Sequence, residues 1–582
     1  MPRTAAGAPS ARAGRRLPVF GSFGGYRRGW LRGDAVAGLT VWAVLVPEAL
    51  AYASIAGVSP VVGLYAAPGA LIFYAAFGSS KHLVTGPMAA TAALSAAAVG
   101  QVVAGKSGMF PALTATLAIT TGLLALAAGL ARLGFVANFI SEPVLKGFIV
   151  GLALTIIIGQ VPKLMGISKG EGDFFGQLWH LITHLGQAQG LTVAVGLGSL
   201  AVVLALRRLA PVVPAPLVAV LAGILAVHLF GLNKHGLDIV GHITGGLPAF
   251  GLPHVPAADY LKLAGSAAGV MLVGFAEGLG AAKTYAARDG YQIDANRELV
   301  GLGAANLASG LSSGMVVNGS LSKTAVNGSA GARTQASGLV VAVLTVITLL
   351  FLTGLFEDLP EATLSAVVIA ALIELVDYKA LAALWRAYSS RLGRIYGWAA
   401  RADFIAAVAA MLGVLIFDTL PGLLIGVLDS VLLLIYRVSR PHVAVLGEIP
   451  GGGQWADVAV HPEDHTVPGI TVLRVESGLF FGNADHVHDT ITAAAAGGTQ
   501  AVVLDCQTTP SIDVTAARML NQLAADLAKR GIRLVLAGEI GQVRDMVAAV
   551  AGHGQAPEYH RTVAEAVTAA QARPATQPAQ ER

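Results

Sequence analysis

Two glycine-broken stretches interrupt a very apolar chain, and each carries residue types that would start a helix inside hydrophobic sequence. One is Thr85–Thr91 and the other is Asn318–Thr324. A helix N-terminus presents unpaired N–H groups and a partial positive charge. Two such ends that meet near the middle of a membrane would form an anion site. The pattern therefore indicates anion transport more than any other function.

The residues expected to bind the anion come largely from these two stretches. Pro87 fits the first turn of a helix, where its missing N–H costs nothing, and Met88 and Ala89 would offer backbone N–H groups. Serine hydroxyls in the second stretch can add hydrogen bonds, and Lys323 would complement the anion's charge. The set is Gly86, Pro87, Met88, Ala89, Gly319, Ser320, Leu321, Ser322 and Lys323. The alternative for the first stretch is an ordinary Gly-Pro helix break.

Two acidic residues within apolar stretches are the candidates for ion coupling. Glu48 follows Pro47 in the first apolar stretch, where a carboxylate costs about 2.5–3.5 kcal/mol on insertion scales. If Glu48 faces the substrate cavity, its protonation would remove a negative charge as the anion binds. Glu277 lies in a later apolar stretch, 269–282. The structural alternatives are a helix-capping role for Glu48 and an ion pair of either acid with Lys323.

Composition indicates a polytopic membrane protein. The 582 residues are 55% hydrophobic and 12% charged, with a mean hydropathy of +0.68, whereas soluble domains carry about 25% charged residues. A net charge of +4 is too small and scattered to indicate nucleic acid. The single cysteine excludes an intramolecular disulfide and a cysteine-based metal cluster. No P-loop, dinucleotide fingerprint or nucleophile triad is present, so we expect neither an enzyme nor a cofactor.

Apolar stretches of spanning length predict about fourteen membrane spans between residues 34 and 437. Their expected starts are Ala35, Pro60, Gly86, Ala112, Val136, Thr192, Val212, Gly265, Ile293, Ser320, Ser337, Thr363, Phe404 and Pro421. Residues 1–33 contain seven arginines and no acid, which is typical of a cytoplasmic end under the positive-inside rule. An even number of spans places the C-terminus on the same side.

The sequence changes character after the last apolar stretch. Residues 438–468 are interpreted as a linker because they contain a Gly451–Gly453 triplet, and 574–582 as a disordered tail. Between them, at 469–573, β-branched runs alternate with helical patterns, which predicts a small cytoplasmic α/β domain.

Longer motifs, in order along the chain, resemble the SulP family of anion permeases, also called the solute carrier 26 family. Pro47–Ala53 resembles the family's first-helix signature. Asn138–Val144, continuing to Gln160–Lys163, is similar to its fifth-helix signature. Thr324–Asn327 with Ala330–Gln335 resembles its tenth-helix signature, and the C-terminal region resembles a STAS domain.

The resemblance implies a fold of two inverted repeats of seven spans, followed by the STAS domain. A core domain (about 34–132 and 264–355) would move against a gate domain (about 136–232 and 362–437). The substrate would lie between the third and tenth half-helices, beside Tyr52. A homodimer in the bacterial inner membrane, surrounded by lipid, is also implied.

The chain departs from the family's pattern at several positions. Many relatives carry Arg where this chain has Lys323, and lysine cannot make arginine's bidentate contact with an oxyanion. Gln is common where Glu48 stands, and Gln cannot titrate. Val514 occupies the phospho-acceptor position of regulatory STAS domains, which argues against a phosphoswitch, and Thr515 fits a helix N-cap.

The sequence therefore predicts a secondary active anion transporter of elevator type. The expected coupling ion is H⁺, carried by Glu48 or Glu277, and sulfate, bicarbonate or a dicarboxylate would suit the site. Na⁺-coupled bicarbonate symport, anion exchange and an uncoupled channel remain open. An alternative from a different functional class is a membrane-tethered sensor or scaffold, in which the STAS domain is the working part.

Overall fold

The computed structural model describes residues 19–572 apart from short internal gaps, at 104–106, 140, 171, 211–212, 377–378, 380–381, 384, 387–397, 418, 452, 496, 539–540 and 552–555. The chain divides into two compact units. The first comprises Met1–Leu381 and Ile405–Asp429, and the second comprises Ala382–Phe404 and Ser430–Arg582. The predictions for residues 1–18 and for the tail lie outside the described residues.

The first half of the membrane region is helical except for one short strand. Its elements are α1 (Leu31–Ile55), α2 (Pro60–Phe77), β1 (Val84–Gly86), α3 (Ala89–Val102), α4 (Phe110–Leu130), α5 (Glu142–Met165), α6 (Phe174–His184), α7 (Gly190–Leu209) and α8 (Ala215–Phe230). Helix α6 was not among the predicted spans. It is too short to cross a membrane and exposes Phe175 and Trp179, as an amphipathic helix does.

The second half repeats this arrangement of a short strand followed by a short helix. Its elements are α9 (Ala257–Asp289), α10 (Ala295–Leu311), β2 (Asn318–Ser320), α11 (Leu321–Ser329), α12 (Ala336–Ile347), α13 (Glu361–Leu375), α14 (Trp398–Phe417) and α15 (Thr419–Ser439). Eleven of the fourteen predicted starts fall within four residues of the start of a helix, whereas Val136, Gly265 and Phe404 lie six to eight residues from the starts of α5, α9 and α14.

Seven described helices are long and apolar enough to cross a membrane: Arg28–Ile55, Pro60–Phe77, Phe110–Leu130, Glu142–Met165, Gly190–Leu209, Ala257–Asp289 and Ala336–Phe356. Four further apolar helices have 10–17 residues: Ala89–Val102, Ala215–Phe230, Glu361–Ile373 and Asp403–Phe417. The total of about fourteen spans stays a prediction.

Glycines allow α4 and α10 to pack with their backbones in contact. A Cβ atom at Gly303 would lie 2.8 Å from the backbone nitrogen of Leu126 and 2.9 Å from the carbonyl oxygen of Gly122. A Cβ atom at Gly122 would lie 2.7 Å from the nitrogen of Leu307. Backbone atoms cannot move aside as a flexible side chain can, so only glycine fits at both positions. Close packing of this kind is typical of helices in membranes.

Two buried carboxylates fix the loops next to the short helices. Asp34 in α1 accepts hydrogen bonds from the backbone N–H groups of Arg333 and Thr334, at 2.6 and 3.1 Å, just after α11. Glu298 in α10 accepts one from the backbone N–H of Ser79 at 2.8 Å, just before β1. Both acids are fully buried. Since a buried carboxylate must be satisfied by donors, these bonds hold the two loops in place.

The second unit contains a six-stranded sheet with helices on both faces. Its elements are β3 (Val443–Glu448), β4 (Trp455–Asp457), β5 (Ile470–Val475), α16 (Ala484–Ala494), β6 (Ala501–Asp505), α17 (Val514–Lys529), β7 (Arg533–Ala537), α18 (Gly541–Ala551), β8 (Glu558–His560) and α19 (Val563–Ala572). The strand order is β4-β3-β5-β6-β7-β8. Strands β5 to β8 are parallel, and β3 runs antiparallel to both of its neighbours.

The region predicted as a linker contributes two strands to this sheet. Strands β3 and β4 both lie within residues 438–468, and Ala444 and Leu446 of β3 are buried in the apolar cluster that includes Ala566 of α19. Gly451 and Gly453 lie between β3 and β4 with φ angles of 83° and 62°, a backbone conformation that favours glycine in the turn that connects the strands. From 469 onwards, the β-branched runs Ile470–Val475, Ala501–Leu504 and Ile532–Ala537 form β5, β6 and β7, and the predicted helical patterns form α16, α17 and α18.

Candidate functional site

The two glycine-broken stretches meet through a small antiparallel sheet. Strand β1 pairs with β2 in the register Thr85 opposite Gly319. Strand β1 leads to the start of α3 at Ala89, and β2 leads directly to α11 at Leu321. Because the strands are antiparallel, the two helices leave this buried sheet at opposite ends, and the Lys323 side chain of α11 reaches back to the Pro87 carbonyl oxygen before α3. The structure thus joins the two glycine-broken stretches, while their role as an anion site stays a prediction.

The first helix start differs in one detail from the sequence prediction. Met88 is the N-cap of α3 and has an extended backbone, so Pro87 precedes the helix and does not lie in its first turn. The prediction for Pro87 was wrong because a proline also restricts the residue before it to extended conformations, which lengthens β1 through Gly86. Gly86, Pro87, Met88 and Ala89 are all buried.

At the second helix start, a serine caps the helix. The Ser320 hydroxyl accepts a hydrogen bond from the backbone N–H of Lys323 at 3.3 Å and lies 3.2 Å from the Ser322 hydroxyl. Thr324 joins α11 to the neighbouring strand, because its Oγ1 accepts from the backbone N–H of Val84 at 3.1 Å. Leu321 and Ser322 are exposed, whereas Gly319 and Ser320 are buried. The role of Thr324 was missed, although a threonine in the first turn of a short helix is a signal for such bonding.

Lys323 is the central charge of this site. Its Nζ lies 2.8 Å from Glu48 Oε2, and the two side chains are only 1% and 4% exposed. The contact is an ion pair by distance, and Glu48 Oε2 has no hydrogen-bond partner in the described part of the chain. The ammonium also donates to the Pro87 carbonyl oxygen at 3.1 Å and lies 5.2 Å from the ring of Tyr52. Residue types alone could not have revealed the contact with the Pro87 carbonyl.

Helix α1 places Glu48 and Tyr52 against α11. The two residues are four positions apart, so they share one face of the helix, and α1 contacts α11 directly. Pro47 lies inside α1, where it cannot donate to the carbonyl one turn earlier. Both Glu48 and Tyr52 are buried. The structure thus places α3 and α11, which contain most of the predicted anion-binding residues, in contact with α1.

Glu277 is a second acid close to Lys323. Its Oε2 atom is buried and, among the contacts of the described residues, has no hydrogen-bond partner. Lys323 interacts with it electrostatically. Helix α9 approaches β2 through Gly274 and Gly278, whose Cβ positions would lie 3.2 and 3.1 Å from atoms of the Asn318 side chain. Lys323 therefore interacts with two carboxylates, and it is in direct contact with that of Glu48.

The ion pair balances the charge at the centre of this arrangement. Lys323 is already neutralised by Glu48, and the remaining attractions are the N–H groups and partial charges of two helix starts. A proton on Glu48 would leave Lys323 with a net positive charge toward a ligand. Within the ranges that the structure describes, no group of three or more His, Cys, Asp or Glu side chains could hold a metal ion.

In the second unit, the loop before α17 carries an N-cap instead of a phosphorylation site. Asp513 accepts hydrogen bonds from the backbone N–H groups of Ala516 and Phe481, at 2.8 and 2.9 Å. Thr515 is the second residue of α17, so the expectation that it caps the helix is wrong. The acid precedes the helix start by one residue, and a carboxylate is the stronger cap. Val514 is exposed and offers no hydroxyl for phosphorylation.

Comparison with known families and proteins gives consistent results along the chain. The model of the sulfate permease family matches residues 31–393, and that of the STAS domain matches residues 461–566. A probable sulfate transporter of Mycobacterium tuberculosis is 38% identical over 523 residues, which cover 89% of this chain and 91% of that protein. High affinity sulfate transporter 1 of Stylosanthes hamata is 30% identical, with 87% and 78% covered.

Solved structures match the fold. The murine solute carrier 26 family member A9 anion transporter, in its inward-facing state, superposes with a TM-score of 0.84 at 21% identity, over 98% of this chain and 100% of that one. The transmembrane domain of a cyanobacterial bicarbonate transporter, BicA, gives a TM-score of 0.58 at 25% identity, over 70% of this chain and 98% of that one.

Proposed function

Because the chain belongs to the sulfate permease family, we propose that it is a secondary active transporter that carries a small anion together with H⁺. The observation that supports this proposal most strongly is the buried ion pair of Lys323 and Glu48, 2.8 Å apart, beside the starts of two short helices. In this pair the Glu48 carboxylate balances the positive charge of Lys323. Protonation of the carboxylate would remove that balance, so protonation and anion binding would be linked.

The proposed cycle begins with the ion pair intact. Protonation of the Glu48 carboxylate removes its negative charge, and Lys323 then faces an anion at the starts of α3 and α11. The anion and the proton enter together because the lysine cannot satisfy the carboxylate and the anion at once. The loaded core domain then moves past the gate domain in an elevator motion, and release of both ions restores the pair.

Sulfate is the first substrate to test. Relatives over most of the chain's length are named sulfate transporters, and a site of backbone N–H groups and one cation suits a small oxyanion. Bicarbonate and dicarboxylates would also suit a site of this kind.

We propose that the protein lies in the inner membrane as a homodimer, with the arginine-rich N-terminus and the STAS domain in the cytoplasm.

Sodium coupling through Glu277 is a second candidate. Its Oε2 atom is buried without a hydrogen-bond partner in the described part of the chain, so it could accept either a proton or a cation. Sodium would need several more oxygen ligands, which one carboxylate does not supply. This candidate predicts uptake that depends on a sodium gradient and is lost in Glu277→Gln.

The test is uptake of radiolabelled sulfate, bicarbonate and fumarate into proteoliposomes, with and without an inward pH gradient. We expect gradient-driven uptake in the wild-type protein. In Glu48→Gln, uptake should lose its dependence on pH or fall at least tenfold, because the lysine no longer has a titratable partner.

Gradient-independent uptake that is unchanged in Glu48→Gln would contradict proton coupling at this residue. Repeating the assay with a sodium gradient, with exchangeable anion inside, and with a membrane potential alone separates sodium symport, exchange and channel conduction. Absence of uptake under every condition would favour the membrane sensor or scaffold.

A further inference from the structure

A polar cavity lies beyond the Glu48–Lys323 pair, at the C-terminal end of α1. Its volume is about 310 Å³, and its walls come from the end of α1, the turn into α2, α5 and the start of α13. Ala51 and Ser54 of α1 line it. They follow Glu48 by about one and two helical turns, or about 4.5 and 9 Å along the axis. The cavity is therefore close to the central site but distinct from it.

The cavity contains the side chain of Lys163, whose ion-pair partner Glu361 an entering anion could replace. Lys163 Nζ lies 3.2 Å from a carboxylate oxygen of Glu361, and the two side chains are 37% and 40% exposed. Exposed ion pairs contribute little stability because water competes with them. By contrast, the pair of Lys323 and Glu48 is almost fully buried. An anion that enters the cavity can therefore take the place of Glu361 at Lys163 at little cost.

Further donors face the same cavity. The Gln160 side chain accepts a hydrogen bond from the Ser365 hydroxyl through Oε1, at 3.1 Å, and its Nε2 group has no partner among the described contacts. Helix α13 begins at Glu361, and Leu364 and Ser365 of its first turns line the cavity, so the positive end of its dipole lies there. A volume of 310 Å³ corresponds to about ten water molecules, which is enough for a hydrated oxyanion.

We propose that this cavity is a second anion site, where Lys163, the Gln160 amide and the start of α13 receive a small oxyanion before it reaches Lys323. The proposal rests on the proposed transport function for its role in uptake, but the binding itself can be measured without transport. Glu361 keeps the affinity low, so that the anion can leave Lys163 for the central site.

The experiment uses a cysteine placed in the cavity of the full-length protein. The native Cys506 is buried, and burial raises the pKa of its thiol to about 12, so it reacts slowly; replacing it in Cys506→Ser removes it altogether. Ser54→Cys in that background is then treated with a negatively charged methanethiosulfonate reagent at increasing sulfate. Gluconate at equal ionic strength is the control for screening.

We expect sulfate to protect Ser54→Cys in a saturable way. Lys163→Gln should weaken protection at least tenfold, Lys163→Arg should retain it, and Glu361→Gln should strengthen it severalfold because Lys163 loses its competitor. The double variant Lys163→Gln with Glu361→Gln should resemble Lys163→Gln, whereas a purely structural ion pair would make the two single variants alike. Protection that is unchanged in Lys163→Gln, or a Ser54→Cys thiol that never reacts, would overturn the proposal.

Uptake measurements on the same variants separate this inference from the proposed function. Lys163→Gln should raise the sulfate concentration for half-maximal uptake severalfold with little change in the maximal rate, whereas Lys323→Gln should abolish uptake but leave protection of Ser54→Cys intact. Protection without any wild-type uptake would support the second site and contradict transport. Uptake without a Lys163-dependent protection would support transport and contradict the second site.

Discussion

The buried Lys323 ammonium has a charged partner before any anion arrives. Moving a charge out of water is costly, and removal of one member of a buried ion pair typically costs about 3–5 kcal/mol because the other charge is left uncompensated. Glu48 therefore has two effects that must be separated: it stabilises the lysine and it competes with the substrate. An anion that binds Lys323 would compensate for the loss of Glu48.

This competition predicts a difference in ligand-induced stability. Sulfate should raise the unfolding temperature of purified Glu48→Gln more than that of the wild-type protein, because only the variant leaves Lys323 unpaired and a ligand stabilises the state that it binds. Thermal unfolding in detergent at pH 7.5, with sulfate or gluconate at equal ionic strength, measures this difference. Lys323→Gln is the matched control and should lose this gain, keeping only the small shift that sulfate binding at Lys163 contributes. Equal shifts in Glu48→Gln and the wild type would contradict direct competition.

At this scale, residue chemistry predicted the participants but not all of their contacts. Glu48 and Lys323 could be singled out because charge is expensive at bilayer depth, and the pairing of the two was one of the alternatives considered. The contact of Lys323 with the Pro87 carbonyl could not be predicted, since every residue has such an oxygen. The cavity at Lys163 was also not predicted, because Lys163 lies near a helix end, where lysine is common.

The short helices α3 and α11 owe their position to the elements around them. Each begins after a three-residue strand, and two strands of that length would be unstable by themselves. The surrounding helices supply the stability: α10 packs on α2 and α4, and α9 packs against β2. The anion site is therefore only as well defined as these helix contacts.

The contact between α4 and α10 gives a direct test of this dependence. Gly303→Ala should reduce stability by about 1–3 kcal/mol, the usual cost of overpacking, because the new Cβ atom would meet the backbone of α4. Gly280→Ala is the matched control, since a Cβ atom there has nothing within 4 Å and alanine favours a helix by up to about 1 kcal/mol. Thermal unfolding and monodispersity on size-exclusion chromatography report the outcome. Equal behaviour of the two variants would contradict the tight packing.

Helices and strands were easier to predict from the sequence when they were long and had a clear hydrophobic pattern. The long apolar helices and the buried strand β6 follow from runs of hydrophobic residues that have no other explanation. Strands β4 and β8 have only three residues each, too few for an alternating pattern to stand out. Strand β3 was missed because a glycine triplet follows it, and glycines in a turn look the same in sequence as glycines in a linker.

At the scale of the whole molecule, the family resemblance and the helical membrane fold with a STAS domain are both confirmed by the family models and the solved structures. The division into core and gate domains stays a prediction. Hydrophobic periodicity could indicate the spans and the two interrupted helices, but it contains no information about which helices move together. That property depends on the contacts between helices in more than one conformation.

The C-terminal region should fold independently. Its sheet buries an apolar cluster on each face, one with α16, α17 and α18 and the other with α19. We expect the fragment 440–572 to be soluble and to unfold cooperatively in urea, as followed by circular dichroism. The fragment 469–572, which lacks β3 and β4, should be less stable by several kcal/mol, because it exposes an edge of β5 and loses Ala444 and Leu446 from the core. Equal stability of the two fragments would restore the interpretation of 438–468 as a linker.

The pairing of β1 with β2 also determines how late in biosynthesis the anion site can form. The bond from the Val84 N–H to Thr324 joins residues 240 positions apart, and ribosomes add roughly 5–20 residues per second. The first short strand must therefore wait roughly 12 to 48 seconds after its own synthesis before its partner exists. Throughout that interval its polar backbone groups have no final partner at bilayer depth, where each unsatisfied group is costly. Assembly of the anion site is thus a late step in biosynthesis, and the nascent chain depends on water or on the insertion machinery until the second half is complete.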